Sequence, residues 1–138
     1  MSYQTDEEYE LGVMQDNVDT LAEGVVGHKI VKAGWVERDL GGKNYYWYGS
    51  NQFEIELDNG TKVYLANTDD CCAYTELNNF LLNAELVDHV IMGVEADQGF
   101  DTWHIYADMG DVLALDVSWS SGNTGYYGFG FHIEVVPA

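Results

Sequence analysis

Apolar and polar residues alternate along most of this chain with the period of a β-strand, and only its beginning carries a helical period. Leu11, Met14, Val18 and Leu21 recur at helical spacing, with Asp16, Asp19 and Glu23 on other faces. Thr5-x-x-Glu8 before them fits a capping box, so the pattern predicts an amphipathic helix that Gly24 and Gly27 end or break in two. A strand from about Lys29 to Glu37 follows, and Gly41-Gly42 turn the chain.

Hairpins dominate from Tyr45 onward. Phe53, Ile55 and Leu57 alternate with acids, Val63 and Leu65 follow, and Asp58-Asn59-Gly60 lies between. A two-residue Asn-Gly turn would set apolar residues opposite polar ones. A three-residue loop with Gly60 left-handed puts all five apolar residues on one face and sets Glu56 opposite Lys62. The three-residue loop is therefore expected. The same device fits Asp108-Met109-Gly110, with Trp103, Ile105 and Ala107 before it and Leu113, Leu115, Val117 and Trp119 after. Val90, Met92 and Val94 read as a neighbouring strand, turned by Asp97 to Phe100. Tyr126 to Val136 reads as a last one, with Tyr127, Phe129, Phe131, Ile133 and Val135 extending the apolar face.

One interruption is expected. Thr75 can cap a helix whose stripe is Leu77, Phe80, Leu81 and Ala84, placing a helix near residues 75–86. The prediction is an α+β, mainly β fold. It has an antiparallel meander sheet of about six to seven strands, an N-terminal helix and one helix over the sheet. With 138 residues, one proline near the end and no Gly- or Ser-rich run, residues 1–138 are expected to form one domain, with residues 1–24 as an acidic helical segment packed on it or extending from it.

Charge changes the picture most. The chain carries 24 acids against five Lys and Arg, a net charge of −19. All five cations (Lys29, Lys32, Arg38, Lys43 and Lys62) precede Val63, and the remainder holds twelve acids with neither Lys nor Arg. Such a field disfavours nucleic acid and anionic membranes and favours a basic protein or a cation; its bland counterpart is solubility or adaptation to high salt. With no secretory leader, no membrane-length apolar run, and adjacent Cys71 and Cys72 that are not expected to bridge, a bacterial or host cytoplasmic setting is expected.

Candidate chemistry is sparse. In the expected registers His104, Ala114 and His132 share one row on the less apolar face, with Asp108 near His89, so His89, His104, Asp108 and His132 form a candidate ligand face. Glycines and alanine at Gly93, Ala114, Gly128 and Gly130 keep that face shallow. No metal-type spacing is present, and neither a metal nor a cofactor is expected. Cys71 and Cys72 lack a local cation and are expected as a buried pair at a strand-to-helix junction. Tyr126 to Ile133 imitates an RNA-recognition signature, but Tyr127 stands where that signature needs Lys or Arg. No nucleophile elbow, P-loop or dinucleotide fingerprint is present, so no catalytic residue is assigned.

Asp70-Cys71-Cys72, Leu21 through Gly24, Gly27, Ile30, Trp103 through Tyr106, and Trp119 through Tyr127 together carry a resemblance. The chain resembles an uncharacterised family of small bacterial and phage proteins, a domain of unknown function. It departs at Thr124, inserted between Asn123 and Gly125, and in the acidic extension before Leu21. The resemblance implies a phage or bacterial setting and carries over no activity. The leading expectation is an acidic protein-interaction module, one form of which imitates DNA charge, with Glu7, Glu8, Glu10, Asp16 and Asp19 in its binding surface. The alternatives are a small-ligand or metal-binding domain or enzyme using the His104/His132 face, and an assembly component using Tyr45-Tyr46-Trp47-Tyr48.

Overall fold

The structure is a computed structural model that describes residues 6–42, 48–122 and 128–138. The predicted N-terminal helix is α1 (Asp6–Val25), and the Thr5 cap lies outside the described residues. Met14, Val18, Leu21 and Val25 are fully buried, whereas Leu11 is exposed. Gly24 does not break the helix. A Cβ there would meet Val135 and Val63 at 3.1 and 3.2 Å, so glycine lets α1 lie close against strands, and Gly27, at φ +89°, ends it.

Nine strands follow among the described residues: β1 (Ile30–Glu37), β2 (Asn51–Leu57), β3 (Lys62–Ala66), β4 (Thr68–Asp70), β5 (Ala73–Leu82), β6 (Gly93–Ala96), β7 (Thr102–Ala107), β8 (Gly110–Ser120) and β9 (His132–Val136). They form two antiparallel sheets rather than one meander. The first has the order β1-β2-β3-β9 and the second β4-β5-β8-β7-β6. The fold is mainly β, with one helix packed on β3, β6 and β9. No helix among the described residues is long and apolar enough to cross a membrane.

The first hairpin has the expected register. Ile55 faces Val63, Glu56 faces Lys62, and Gly60 has φ +87°. The second reaches its expected alignment by another route. Ala107 pairs with Gly110 across a two-residue turn, and a bulge near Tyr106 restores Ile105 opposite Leu113 and His104 opposite Ala114. Both devices put the apolar set inward.

The expected helix near residues 75–86 is strand β5 and the turns that follow it. Ala73, Thr75 and Leu77 face inward in alternation; a bulge between Leu77 and Asn79 then shifts the phase, so Phe80 turns toward the core. A three-residue step between inward side chains imitates a helical stripe. Asn67 Oδ1 accepts the N–H of Leu77 at 2.9 Å. Before β6, Ile91 is buried while Val90 and Met92 are exposed, the reverse of the expected alternation. Ile91 exchanges two backbone hydrogen bonds with Gly27 and His28, which fixes its inward side.

The last strand also sits elsewhere than expected. β9 pairs with β3, not β8. The chain crosses between sheets through Asn67 and returns through residues 128–131; Asn123 to Tyr127 lie outside the described residues. Thr68 Oγ1 donates to Gly130 O at 2.7 Å, Thr75 Oγ1 accepts the Gly130 N–H at 2.6 Å, and Asn17 bonds both backbone groups of Phe131 at 3.0 and 2.8 Å. The crossing segment thus satisfies its backbone through side chains. Between the sheets Phe53 meets Phe80 at 4.7 Å and Trp103 meets Phe131 edge-on at 5.2 Å. Each fully buried large side chain here stabilises the fold by about 1.5–3 kcal/mol.

Candidate functional site

The outward face of the second sheet combines exposed apolar surface with carboxylates. Strand register places Leu81, Ala114, His104 and Glu95 in one row, with Asn79, Asp116 and Thr102 in the next. Two depressions, of about 250 and 480 Å³, share Leu81 and Ala114 as lining residues; the first includes Asp116, and the second includes Leu86, Met109, Glu85 and Asp111. Leu81 and Met109 are each 71% exposed, more than any other large apolar side chain described. Strands β4 to β8 contain neither Lys nor Arg. The result is an apolar trough with an anionic rim.

His104 lies between two aspartates beside that rim. Its Nδ1 lies 2.6 Å from Asp111 Oδ2 and its Nε2 lies 2.8 Å from Asp97 Oδ1. The Asp111 hydrogen bond, joined by that to Asp97 and opposed by partial burial, raises the imidazole above the usual histidine range. Asp111 reaches this face because of the β7–β8 bulge. In an uninterrupted three-residue loop it would point inward with Leu113; the bulge sets it opposite Tyr106 and turns Val112 inward. An aspartate at a core-facing position, followed by two apolar residues, was the available signal.

His89 and Asp108 meet as expected, with Nδ1 2.8 Å from Oδ1. His28 makes a similar contact with Asp58 at 3.2 Å. His132 does not join His104, because β9 belongs to the first sheet. Its ring stacks on Tyr48 at 3.9 Å, and burial, partly offset by Glu134, lowers it below the usual histidine range. The expected row across three strands therefore stops at His104 and Ala114. Among the described residues, no group of three His, Cys, Asp or Glu side chains converges to hold a metal.

His132 instead lines a cleft of about 410 Å³ where the sheets meet, together with Thr68, Asp70, Phe129 and Phe131. Asp70 Oδ2 accepts the Gly128 N–H at 2.7 Å and holds one wall in place. Phe129 stacks on Trp119 at 5.7 Å. Cys71 and Cys72 are nearby in sequence, and both are exposed rather than buried. They form the two-residue turn between β4 and β5, since β5 is a strand and no strand-to-helix junction exists there.

The helix acids Glu7, Glu8, Asp16 and Asp19 are exposed, and Gln15 donates to Asp19 at 2.8 Å. Glu10 is half-buried and accepts from Ser121 Oγ at 2.5 Å. Of the aromatic run at 45–48, only Tyr48 is described.

A family model for a domain of unknown function, DUF7448, matches residues 23–133. No curated protein and no solved structure matches the chain. The chain belongs to the DUF7448 family.

Proposed function

We propose that this DUF7448 domain is a protein-interaction module whose docking surface is the outward face of its second sheet. Its partner is a basic protein segment carrying an apolar anchor. The observation that carries the reading is the trough through Leu81, Ala114 and Met109, rimmed by Asp111, Asp116 and Glu85 on a sheet without Lys or Arg. Exposed apolar surface of this kind marks interaction sites, and a single-signed rim speeds encounter with a cationic partner. The carboxylates Glu7, Glu8, Asp16 and Asp19 on α1 extend the attractive field. The reading suits a phage or bacterial cytoplasmic protein that occupies a nucleic-acid-handling protein by imitating phosphate charge.

The test is capture from bacterial lysate with the immobilised domain and a Leu81→Glu, Met109→Glu variant, at low and high salt. A basic protein retained at low salt, released at high salt and missed by the variant supports the reading. Equal retention by both forms sinks it, as does the absence of any retained protein.

The cleft beside His132 supports a second reading, a small-ligand site. A neutral imidazole, two aromatic rings and a fixed carboxylate suit a small aromatic molecule with a polar edge. Fragment screening by ligand-observed NMR tests it: hits abolished by His132→Ala would support it, and hits indifferent to that change would discard it.

A further inference from the structure

Adjacent cysteines ordinarily fail to pair because their side chains diverge and their Cα atoms are too close for relaxed disulfide geometry. The β4–β5 turn removes the first obstacle. Asp70 pairs with Ala73, leaving Cys71 and Cys72 as the whole turn, and Cys71 has φ +59°. Turn chemistry favours Gly or Asn in that left-handed conformation, and a cysteine there is strained. The turn brings the two Sγ atoms to 3.6 Å, in mutual hydrogen-bonding contact, with both residues exposed.

We propose that Cys71-Cys72 is a thiol–disulfide exchange site that closes to an intramolecular disulfide with a small disulfide oxidant of the glutathione type. One thiol loses its proton, and its thiolate attacks a sulfur of the oxidant. A mixed disulfide forms and one thiolate equivalent of the oxidant leaves. The second cysteine, likewise deprotonated, attacks the protein sulfur of that mixed disulfide and expels the second equivalent. The protein loses two hydrogens and two electrons, and one oxidant disulfide becomes two thiols. The second step is favoured by proximity, because its nucleophile is already beside the sulfur it attacks.

Closure between adjacent residues strains the intervening peptide, so the bond is labile and responsive rather than a permanent staple. It is open in a reducing compartment and closes when the disulfide pool rises. The hydrogen bond and negative charge shared with Cys71 raise the Cys72 thiol, so exchange speeds up as pH increases through the thiol range. The turn also adjoins the crossing segment: Asp70 holds Gly128, and a Cβ on Gly122 would meet Cys72 at 3.1 Å. Closure therefore acts on the wall of the junction cleft.

The experiment treats the full chain with oxidised glutathione at mildly alkaline pH, blocks remaining thiols by alkylation, and measures intact and peptide masses. The expected product has lost two hydrogens, takes up no alkylating agent and retains no glutathione. Cys71→Ser and Cys72→Ser should each stop at a stable glutathione adduct. Retention of glutathione by the unsubstituted chain overturns the proposal. Disulfides between two chains, or no reaction, overturn it as well.

Discussion

On the outward face of the first sheet, acids are paired with cations; on the outward face of the second, they surround exposed apolar side chains with one imidazole between them. Glu54 is only 8% exposed, lies 3.9 Å from Lys62 and sits opposite Tyr64 in the strand register. Arg38 lies 3.8 Å above the Tyr64 ring, pairs with Glu134 at 2.5 Å and donates to Gln52 at 3.3 Å. Every described Lys or Arg precedes Val63, so this network can form only around the early strands. The second sheet, without Lys or Arg in its strands, has no such network for its acids. Charge segregation along the chain thus becomes a difference between the two outward faces. One outward face pairs its charges, and the other leaves apolar side chains exposed beside its acids.

The largest effect should come from breaking the first face. Arg38→Met leaves Glu134 unpaired and uncovers Tyr64, and should lower stability by about 2 kcal/mol in urea unfolding. A loss under about 0.5 kcal/mol would show that the network is peripheral. Leu81→Glu on the second face should change folding stability by under about 0.5 kcal/mol. If the trough is the docking surface, the same change should weaken partner binding at least about tenfold, which is about 1.4 kcal/mol, by titration calorimetry.

His104 and His132 respond to pH with opposite signs. His104 has a raised folded-state value, so its contribution is fully present below the unfolded value of about 6.5 and is lost as pH rises through the folded value. His104→Gln should cost about 1 kcal/mol near pH 6, with the gap narrowing at higher pH in thermal melts. His132 has a lowered folded-state value. Its neutral form stabilises the native state, and that contribution is lost as pH falls below about 6.5. His132→Phe keeps a ring against Tyr48 and should flatten the acid limb of the stability profile. An unchanged acid limb would remove His132 from the explanation. The smallest effect is expected for Asp116→Asn, which should stabilise by about 0.3 kcal/mol at low salt and by nothing near 1 M, where charges beyond about 3 Å are screened.

Sequence pattern reached the local features and failed at the long-range ones. The 58–60 loop, the Glu56–Lys62 pair and the α1 stripe follow from spacing alone, because each is decided within a few residues. The His104–Ala114 pair and the His89–Asp108 contact were also legible. Bulges defeated the rest: the one near Leu77 disguised β5 as a helix, and the one near Tyr106 hid Asp111 as a partner of His104. The pairing of β9 with β3 joins segments about seventy residues apart, and no local alternation encodes that choice. Hence the trough around Leu81, which depends on β5 being a strand, could not be read.

Asn17 has a consequence for how the molecule opens. Its single amide serves as a surrogate strand for Phe131, so a hydrogen-exchange probe at Phe131 would report on a partner 114 residues earlier. Fraying of the first element and release of the returning chain should then be coupled, with exchange at Phe131 rising when Asn17 is replaced by alanine. A fragment beginning where the family match begins, at residue 23, would lack Asn17 and the core side chains Met14, Val18 and Leu21. The core and the fastening of the returning chain thus both draw on residues that the family match does not include.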